Sequence, residues 1–283
     1  MPFNTALLTP TIQIESLPQK RNTVSAQACS ILLGNNYLNF ALSDPSYSKI
    51  HLVKHYHFGN DAFGKENLKD IISDPLLKKL KHVKIAFDTP KSTLIPDAFF
   101  ADKQKKDLFE LIHDVDKDEA LYTQKLNGKT AVFSIPRSTT SLLGSMFRNV
   151  RYYDASSCLL NTYPLVGSKD GYTFFVCIKD DCAAMSVYRN KELVLHQSYT
   201  DTTPSDITYY IARCMDVYKA EKDEIHIMLH GESDVLQTVK AELSLYFPDV
   251  KYCSRIAHLQ YPDTITDQPS HYFFNLFSFV TCA

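Results

Sequence analysis

Short runs in which apolar and polar residues alternate occur twice along the chain, in the same order. The first set spans residues 29–58, with Asn35-Asn36 as its first turn, and the second spans residues 172–199, with Lys179-Asp180-Asp181 as its first turn. Alternation of this kind is typical of antiparallel strands that bury one face. Each set therefore predicts a three-stranded meander, and the internal repeat predicts two similar lobes with a cleft.

After each meander the apolar spacing becomes helical and then returns to that of a strand. Residues 65–80 and 204–220 predict helices, and residues 82–87 and 224–229 predict the strands that follow them. In the second set, a predicted helix over residues 233–246 and a predicted strand over residues 250–253 follow. The resulting order βββαβαβ resembles that of a ribonuclease-H-like unit. Two such units in tandem predict an α/β fold with mixed sheets.

Between the two sets, the pattern predicts a helix over residues 103–113 and a tight hairpin. Asp102 is expected to cap the helix, with Leu108, Leu111 and Ile112 on its buried side. Asn127-Gly128 between two β-like runs is a strong hairpin signal. The predicted division is an N-terminal arm (1–27), a first lobe (28–167) and a second lobe (168–283) that closes with a helix.

Composition and charge narrow the class of protein without naming a reaction. Of 283 residues, 45% are hydrophobic and 22% are charged, which is normal for a soluble globular protein, and the net charge of −2 argues against a general nucleic-acid binder. The seven cysteines are odd in number and contain no C-x-x-C pair, which is typical of a reducing compartment. No signal-peptide pattern and no run of about 18 apolar residues occurs. A cytoplasmic protein that does not insert into a membrane is expected.

Three further segments carry a resemblance to a known superfamily. They are the extended Leu94-Ile95-Pro96 before a helix, the strand end at residues 227–231, and the closing segment with Phe273, Phe274 and Phe277. With the repeated meander, they resemble the actin-like ATPase superfamily over residues 28–282. The chain is similar to the cell-division actin homologue and to the cytoplasmic actin-like protein of pilus assembly platforms. It more closely resembles an uncharacterised bacterial family of that superfamily, known only as a domain of unknown function.

The resemblance implies that ATP would lie between the lobes, held by two phosphate hairpins and a glycine-rich strand end for the adenosine. In such sites glycines let backbone N–H groups approach phosphate oxygens, and an Asp on each first strand manages Mg²⁺ and the attacking water. The matching positions in this chain are Gly34, Asn35 and Asn36, then Lys179, Asp180 and Asp181, and finally Gly231 and Glu232.

Each of the three elements departs from the superfamily's pattern. The first hairpin has one glycine and no Asp before it. The second has no glycine, and its two carboxylates, Asp180 and Asp181, would repel phosphate. The strand end keeps only Gly231 where a pair of glycines is usual. These departures predict a cleft that has lost its chemistry.

The leading interpretation is a non-catalytic cytoplasmic interaction or scaffold protein with no catalytic residue, no metal site and no cofactor. Its expected partner is an unidentified protein, with a homo-oligomer as another option and with no nucleic acid bound. The main alternative is a divergent nucleotide-binding ATPase that uses ATP with magnesium, and a weaker one is a small-molecule-binding relative of sugar kinases. A ribonuclease-H-type nuclease is disfavoured because the strand segments 30–34 and 173–178 carry no acid for a two-metal site.

Two other patterns resemble metal sites. His51, His55 and His57 share one face of a strand because their spacing is even, although a polar face toward solvent explains them better. Residues 114–118 open like a calcium loop, but Glu119 stands where glycine is required. Neither pattern predicts a metal site.

Overall fold

The computed structural model describes residues 9–15, 27–58, 65–74, 76–77, 80, 82–167, 170–179, 182–232 and 234–282. The strands are β1 (Ile12–Glu15), β2 (Ala28–Leu33), β3 (Tyr37–Ser43), β4 (Ile50–His57), β5 (His82–Phe87), β6 (Ser92–Pro96), β7 (Glu119–Leu126), β8 (Lys129–Pro136), β9 (Val150–Asp154), β10 (Tyr172–Ile178), β11 (Cys182–Arg189), β12 (Glu192–Thr200), β13 (Ile225–His230) and β14 (Val250–Tyr252). The helices are α1 (Lys65–Ile72), α2 (Lys105–Glu110), α3 (Arg137–Met146), α4 (Ala155–Val166), α5 (Pro204–Tyr218), α6 (Leu236–Leu243) and α7 (Phe274–Thr281). None of these described helices is long and apolar enough to cross a membrane. The predicted α/β class with mixed sheets is confirmed.

Contacts divide the chain into two compact units. The first comprises Met1–Cys158, His258–Ile265 and Phe279–Ala283, and the second comprises Leu159–Ala257 and Thr266–Ser278. The division drawn from the sequence kept every residue after 167 together, whereas the structure assigns two late segments to the first unit. Local hydrophobic patterns identify strands and helices, but they carry no information about which unit a late segment joins.

The first unit contains a six-stranded sheet in the order β1-β4-β3-β2-β5-β9. β2, β3 and β4 form the predicted antiparallel meander, and β5 pairs in parallel with both β2 and β9. Alternate residues of the meander enter one core, where Phe40 and Tyr56 lie with Leu68 and Ile71 of α1. Burying a side chain of this size contributes about 1.5–3 kcal/mol, so a slip of one residue in the strand register would be costly.

The opposite face of this sheet is also buried, which corrects the expectation that the three histidines of β4 face solvent. His55 is only 4% exposed, and its Nδ1 lies within hydrogen-bonding distance of Oδ1 of Asn39 on β3. The even spacing did place His55 and His57 on one side of the strand, and His57 is exposed. Polarity alone does not place a side chain in solvent, because a buried imidazole is tolerated when it has a hydrogen-bond partner.

Lys84 of β5 lies on the same buried face and anchors the end of α7. Its Nζ donates to the carbonyl oxygens of Val280 at 2.9 Å and Cys282 at 2.6 Å, and it lies 4.0 Å from the centroid of the Tyr47 ring. Burial lowers the pKa of this ammonium from 10.5 to about 8. Because a cation near the last carbonyls of a helix is favourable, this contact fixes the last described residues within the first unit.

A second sheet of the first unit has the order β6-β8-β7. β7 and β8 form the predicted hairpin, and Gly128 has the positive φ of 70° that its turn requires. The helix predicted over residues 103–113 is shorter, because a 3-10 turn at Asp102–Gln104 precedes α2 and α2 ends at Glu110. Leu111 and Ile112 are 78% and 67% exposed, so their predicted burial was wrong.

The second unit contains a five-stranded sheet in the order β12-β11-β10-β13-β14. Three antiparallel strands are followed by two parallel ones, as in the β4-β3-β2-β5-β9 part of the first sheet. α5 begins with a capping box between Thr203 and Asp206, with Pro204 at its first position. Ile211 of α5 and Val239 of α6 are buried in the core of this unit.

Candidate functional site

The turn between β2 and β3 carries Gly34, Asn35 and Asn36, the residues predicted for the first phosphate hairpin. The N–H of Gly34 donates to the carbonyl of Tyr37 at 3.0 Å, and the carbonyl of Asn36 accepts from the N–H of Phe58 at 2.8 Å. A phosphate-binding turn presents its N–H groups to the ligand. In this turn the N–H of Gly34 is already bonded within the sheet.

The ring of Tyr37 lies against Gly34. A Cβ atom at residue 34 would lie 2.2 Å from Cε1 and 2.6 Å from Cδ1 of that ring, far inside van der Waals contact. Glycine suits this position because its missing side chain leaves the space that the aromatic ring occupies, and a larger residue would force the ring to move.

Asp88 fixes the position of this ring. The hydroxyl of Tyr37 donates a hydrogen bond to Oδ2 of Asp88, which directly follows β5 and is 8% exposed. The N–H of Asp88 donates to the carbonyl of Leu33 at 2.8 Å, so the ends of the parallel strands β2 and β5 lie side by side. Reasoning from sequence missed Asp88. The usable signal was an acidic residue directly after a buried strand that pairs in parallel with the first strand of the meander.

A second carboxylate, Asp154, stands at the end of β9, where it pairs with Phe87 of β5. Its Oδ2 accepts from the N–H and the hydroxyl of Ser157 at 2.7 and 2.6 Å, which is the geometry of a helix N-cap for α4. Burial raises the pKa of the Asp154 carboxyl, and the charge of Asp88 acts in the same direction. Asp88 and Asp154, at this edge of the sheet, therefore each accept a hydrogen bond from a hydroxyl group of this chain, that of Tyr37 and that of Ser157.

The second predicted hairpin follows β10 in the second unit. The N–H of Lys179 donates to the carbonyl of Cys182 at 2.9 Å, which closes the turn between β10 and β11. Asp180 and Asp181 lie outside the described residues. Their repulsion of phosphate therefore stays a prediction from sequence.

Gly231 and Glu232, predicted for the adenosine strand end, follow β13, the parallel neighbour of β10. Gly231 has a φ of 136°, and a Cβ atom there would lie 2.0 Å from the carbonyl oxygen of Ile178. Only glycine permits such an approach of two backbones. The structure thus brings Lys179 and Gly231 to one edge of the second sheet. The close approach of the Ile178 backbone, at the end of β10, explains why residue 231 is a glycine.

His230, one residue before Gly231, is fully buried among aromatic rings. Its Nε2 lies 2.8 Å from the hydroxyl of Tyr163, and its ring centroid is 4.8 Å from that of Phe274. Burial lowers the pKa of His230 to about 3, so the imidazole is neutral near pH 7. A general acid or base works best when its pKa lies near the operating pH, and His230 does not meet that condition.

Among the described residues, no group of three or more His, Cys, Asp or Glu side chains is suited to hold a metal ion. On β4, which carries the three histidines, His55 instead lies within hydrogen-bonding distance of the buried Asn39. In the acidic loop that resembles a calcium site, Asp116 instead pairs with Lys91 at 3.1 Å.

Comparison with solved structures identifies the fold. A crystal structure from Bacteroides thetaiotaomicron, of a protein with an actin-like ATPase fold and unknown function, is similar with a TM-score of 0.78 and 17% identity, covering 93% of this chain and 98% of that chain. The PilM–PilN type IV pilus biogenesis complex is similar with a TM-score of 0.62 and 9% identity, covering 90% of this chain and 98% of that chain. At these identities the similarity establishes the fold alone, and the predicted actin-like ATPase fold is confirmed.

No curated protein matches the chain. A family model described as protein of unknown function (DUF3822) matches residues 19–250. This match confirms the predicted placement in a domain-of-unknown-function family, and the solved structures give this chain an actin-like ATPase fold. The chain belongs to the DUF3822 family.

Proposed function

We propose that this protein is a non-catalytic interaction or scaffold protein of the cytoplasm, built on an actin-like fold whose nucleotide site is degenerate. The proposal rests on the position of Tyr37. Its ring lies against Gly34, and its hydroxyl donates a hydrogen bond to Asp88. A fold that uses its former site residues for internal packing is expected to act through its surface.

Phosphate binding at the first hairpin would require three local changes. The N–H of Gly34 would have to leave the carbonyl of Tyr37, the ring would have to swing away, and Asp88 would lose a donor. The loss of one hydrogen bond to a charged group costs about 1.5–3 kcal/mol. The carboxylate of Asp88 would then face the phosphate charge in a poorly solvated place, where repulsion is stronger than in water.

A nucleotide-binding protein that uses Mg²⁺ is the second candidate, and the pair of acids at the ends of β5 and β9 is the observation that favours it. Carboxylates such as those of Asp88 and Asp154 are the ligands that Mg²⁺ prefers. Against this candidate, a metal ion would have to displace the hydroxyl donors of Tyr37 and Ser157.

The partner in our proposal is another protein, with a second copy of this chain as the alternative. The similar PilM–PilN structure is by its description a complex in type IV pilus biogenesis, so a protein of this fold takes part in a protein assembly there. That likeness supports a binding role and does not name a partner for this chain.

Calorimetric titration with Mg-ATP tests the degenerate site, with the wild type, Tyr37→Ala and a control variant, Phe99→Ala. Phe99 is 73% exposed in the same unit as Tyr37, so its removal controls for the loss of an aromatic ring elsewhere. We expect no heat of binding from the wild type or the control at nucleotide concentrations on the order of 1 mM, which corresponds to a binding free energy weaker than about −4 kcal/mol. Micromolar binding by the wild type would refute the degenerate site and support the ATPase. Improved phosphate binding after Asp180→Ala with Asp181→Ala would show that these carboxylates block a latent site.

The interaction role has its own test, which is affinity purification from the native cell after cross-linking. We expect the same partner protein in independent preparations. Repeated purifications that share no partner would count against a scaffold, whatever the titration gives.

A further inference from the structure

A cavity of about 470 Å³ opens between α5 and α6 of the second unit. On α5 its lining residues Ser205, Thr208 and Ala212 follow one another at helical spacing, so one face of the helix carries small side chains. Small residues leave a groove, and larger side chains that belong to α5 and to the turn after α6 stand at its sides. The volume lies in the range of pockets that take one small molecule or one anchoring side chain.

Aromatic side chains form the apolar part of this cavity. Tyr209 and Tyr246 line it and are 63% and 52% exposed, and Phe247 beside them is buried. Leu245 and Val217, which neighbour lining residues in the chain, are 78% and 61% exposed. Single exposed apolar residues need no explanation, but two exposed aromatic rings that line one cavity mark a surface for binding.

The charged residues of the lining select the sign of the ligand. Asp216 and Glu242 contribute two carboxylates, and Lys222 contributes one ammonium. The hydroxyl of Ser205 donates to Oε1 of Glu242 at 2.6 Å, which orients this carboxylate across the groove. The excess of negative charge favours a cation over an anion such as phosphate.

We propose that this cavity binds an arginine side chain of a partner protein, carried on a peptide segment with apolar neighbours. A guanidinium stacks favourably on tyrosine faces and donates to carboxylates, so Tyr209, Tyr246, Asp216 and Glu242 together match its chemistry. The exposed Leu245 directly precedes the lining residue Tyr246 in the chain. We expect it to contact the apolar residues that flank the arginine. This inference rests on the proposed interaction function and gives it a location and a ligand class.

Selection of a random linear peptide library on the immobilised full-length protein provides the probe. Enriched peptides are labelled, and their affinity is measured by fluorescence anisotropy, alongside versions in which arginine is replaced by glutamine. We expect enriched sequences with an arginine beside leucine, valine or an aromatic residue. Binding should weaken about tenfold when the arginine is replaced, the size expected for loss of one charge-assisted hydrogen bond, and it should weaken with added salt.

The protein variants are Asp216→Asn with Glu242→Gln, and Glu192→Gln as a matched control on β12 of the same unit. Glutamine at residue 242 can still accept from Ser205, so the fold is expected to survive, and circular dichroism checks it. The double variant should bind the enriched peptide at least about tenfold more weakly. The control should bind it as the wild type does.

The outcomes separate this inference from the proposed function. Enriched peptides without a cation, or equal affinity for wild type and double variant, would overturn the arginine site and leave the interaction function standing. No enrichment together with Mg-ATP binding would overturn both. No enrichment without nucleotide binding would overturn the arginine site alone, and the purification experiment would then decide the scaffold role.

Discussion

Replacing Gly34 by alanine should destabilise the first unit, because the Tyr37 ring occupies the space that the new methyl group needs. The methyl carbon would lie 2.2 Å from Cε1 and 2.6 Å from Cζ of the ring. Carbon atoms in contact are about 3.5–4.0 Å apart, so the ring has to move by more than about 1 Å. A shift of that size breaks the hydrogen bond from the Tyr37 hydroxyl to Asp88.

The magnitude follows from that lost bond. A hydrogen bond to a charged group is worth about 1.5–3 kcal/mol, and Asp88 is only 8% exposed, so water does not fully replace it. Alanine also restricts the unfolded chain, which offsets about 0.4–1 kcal/mol. The net loss is about 1–2 kcal/mol, equivalent to a fall in melting temperature of about 2–4 °C per kcal/mol.

Urea unfolding followed by far-ultraviolet circular dichroism is the assay, since the chain contains no tryptophan. Gly144→Ala is the control, because Gly144 is exposed in α3 and a Cβ atom there meets nothing within 4 Å. The control should stabilise the protein by about 1 kcal/mol through helix propensity. In a Tyr37→Ala background, Gly34→Ala should no longer destabilise the protein and should stabilise it by about 0.4–1 kcal/mol, the contribution of the restricted unfolded chain. An equal cost in both backgrounds would refute the contact between Gly34 and the ring.

Three further substitutions test the packing and the buried charges. Gly231→Ala should cost more than about 3 kcal/mol, since its Cβ would lie 2.0 Å from the backbone oxygen of Ile178, and an unchanged melting temperature would contradict this. The pKa of His230 in the folded state, about 3, lies below its ordinary value of 6.5. Between these pH values the unfolded state binds more protons than the folded state. The free energy of unfolding should therefore fall by about 4 kcal/mol as the pH drops from 6.5 to 3. His230→Gln should flatten this part of the stability profile, and parallel profiles would disprove the assignment. The pKa of Lys84 is lowered from 10.5 to about 8, so the wild type should gain up to about 3 kcal/mol over Lys84→Met as the pH rises from 8 to 10.5, and a constant difference would argue against it.

The strands could be predicted from sequence because their signal is local. In β3, residues 38, 40 and 42 are apolar and all three enter the core, so alternation alone located the strand and its buried face. The helix predicted from residue 204 begins there in the structure, where Thr203 caps α5 and Pro204 is its first residue. The predicted end of α2 was wrong, because the helical spacing of apolar residues continues past Glu110 although the helix ends there. Leu111 and Ile112 lie beyond that end and are exposed.

The contents of the candidate site could not be predicted, because its contacts join distant parts of the chain. Tyr37 and Asp88 are separated by 51 positions, and their contact depends on the parallel pairing of β2 with β5. Strand pairing sets that neighbourhood, and no local pattern encodes it. Lys84 was missed for the same reason, since its partners Val280 and Cys282 come almost 200 positions later.

Small residues identify a binding site only when the space they leave is open. The resemblance predicted Gly34 and Gly231 as nucleotide-site positions, but the Tyr37 ring takes the space at the first and the Ile178 backbone takes it at the second. Packing within the fold therefore explains both glycines, and neither needs a nucleotide to explain it. On α5 the situation is reversed, because Ser205, Thr208 and Ala212 leave a cavity of about 470 Å³ that no described side chain fills. Because an open cavity with charged and aromatic walls can gain contacts from a ligand while a filled hairpin must first lose its own, binding is expected on the surface of α5 and α6.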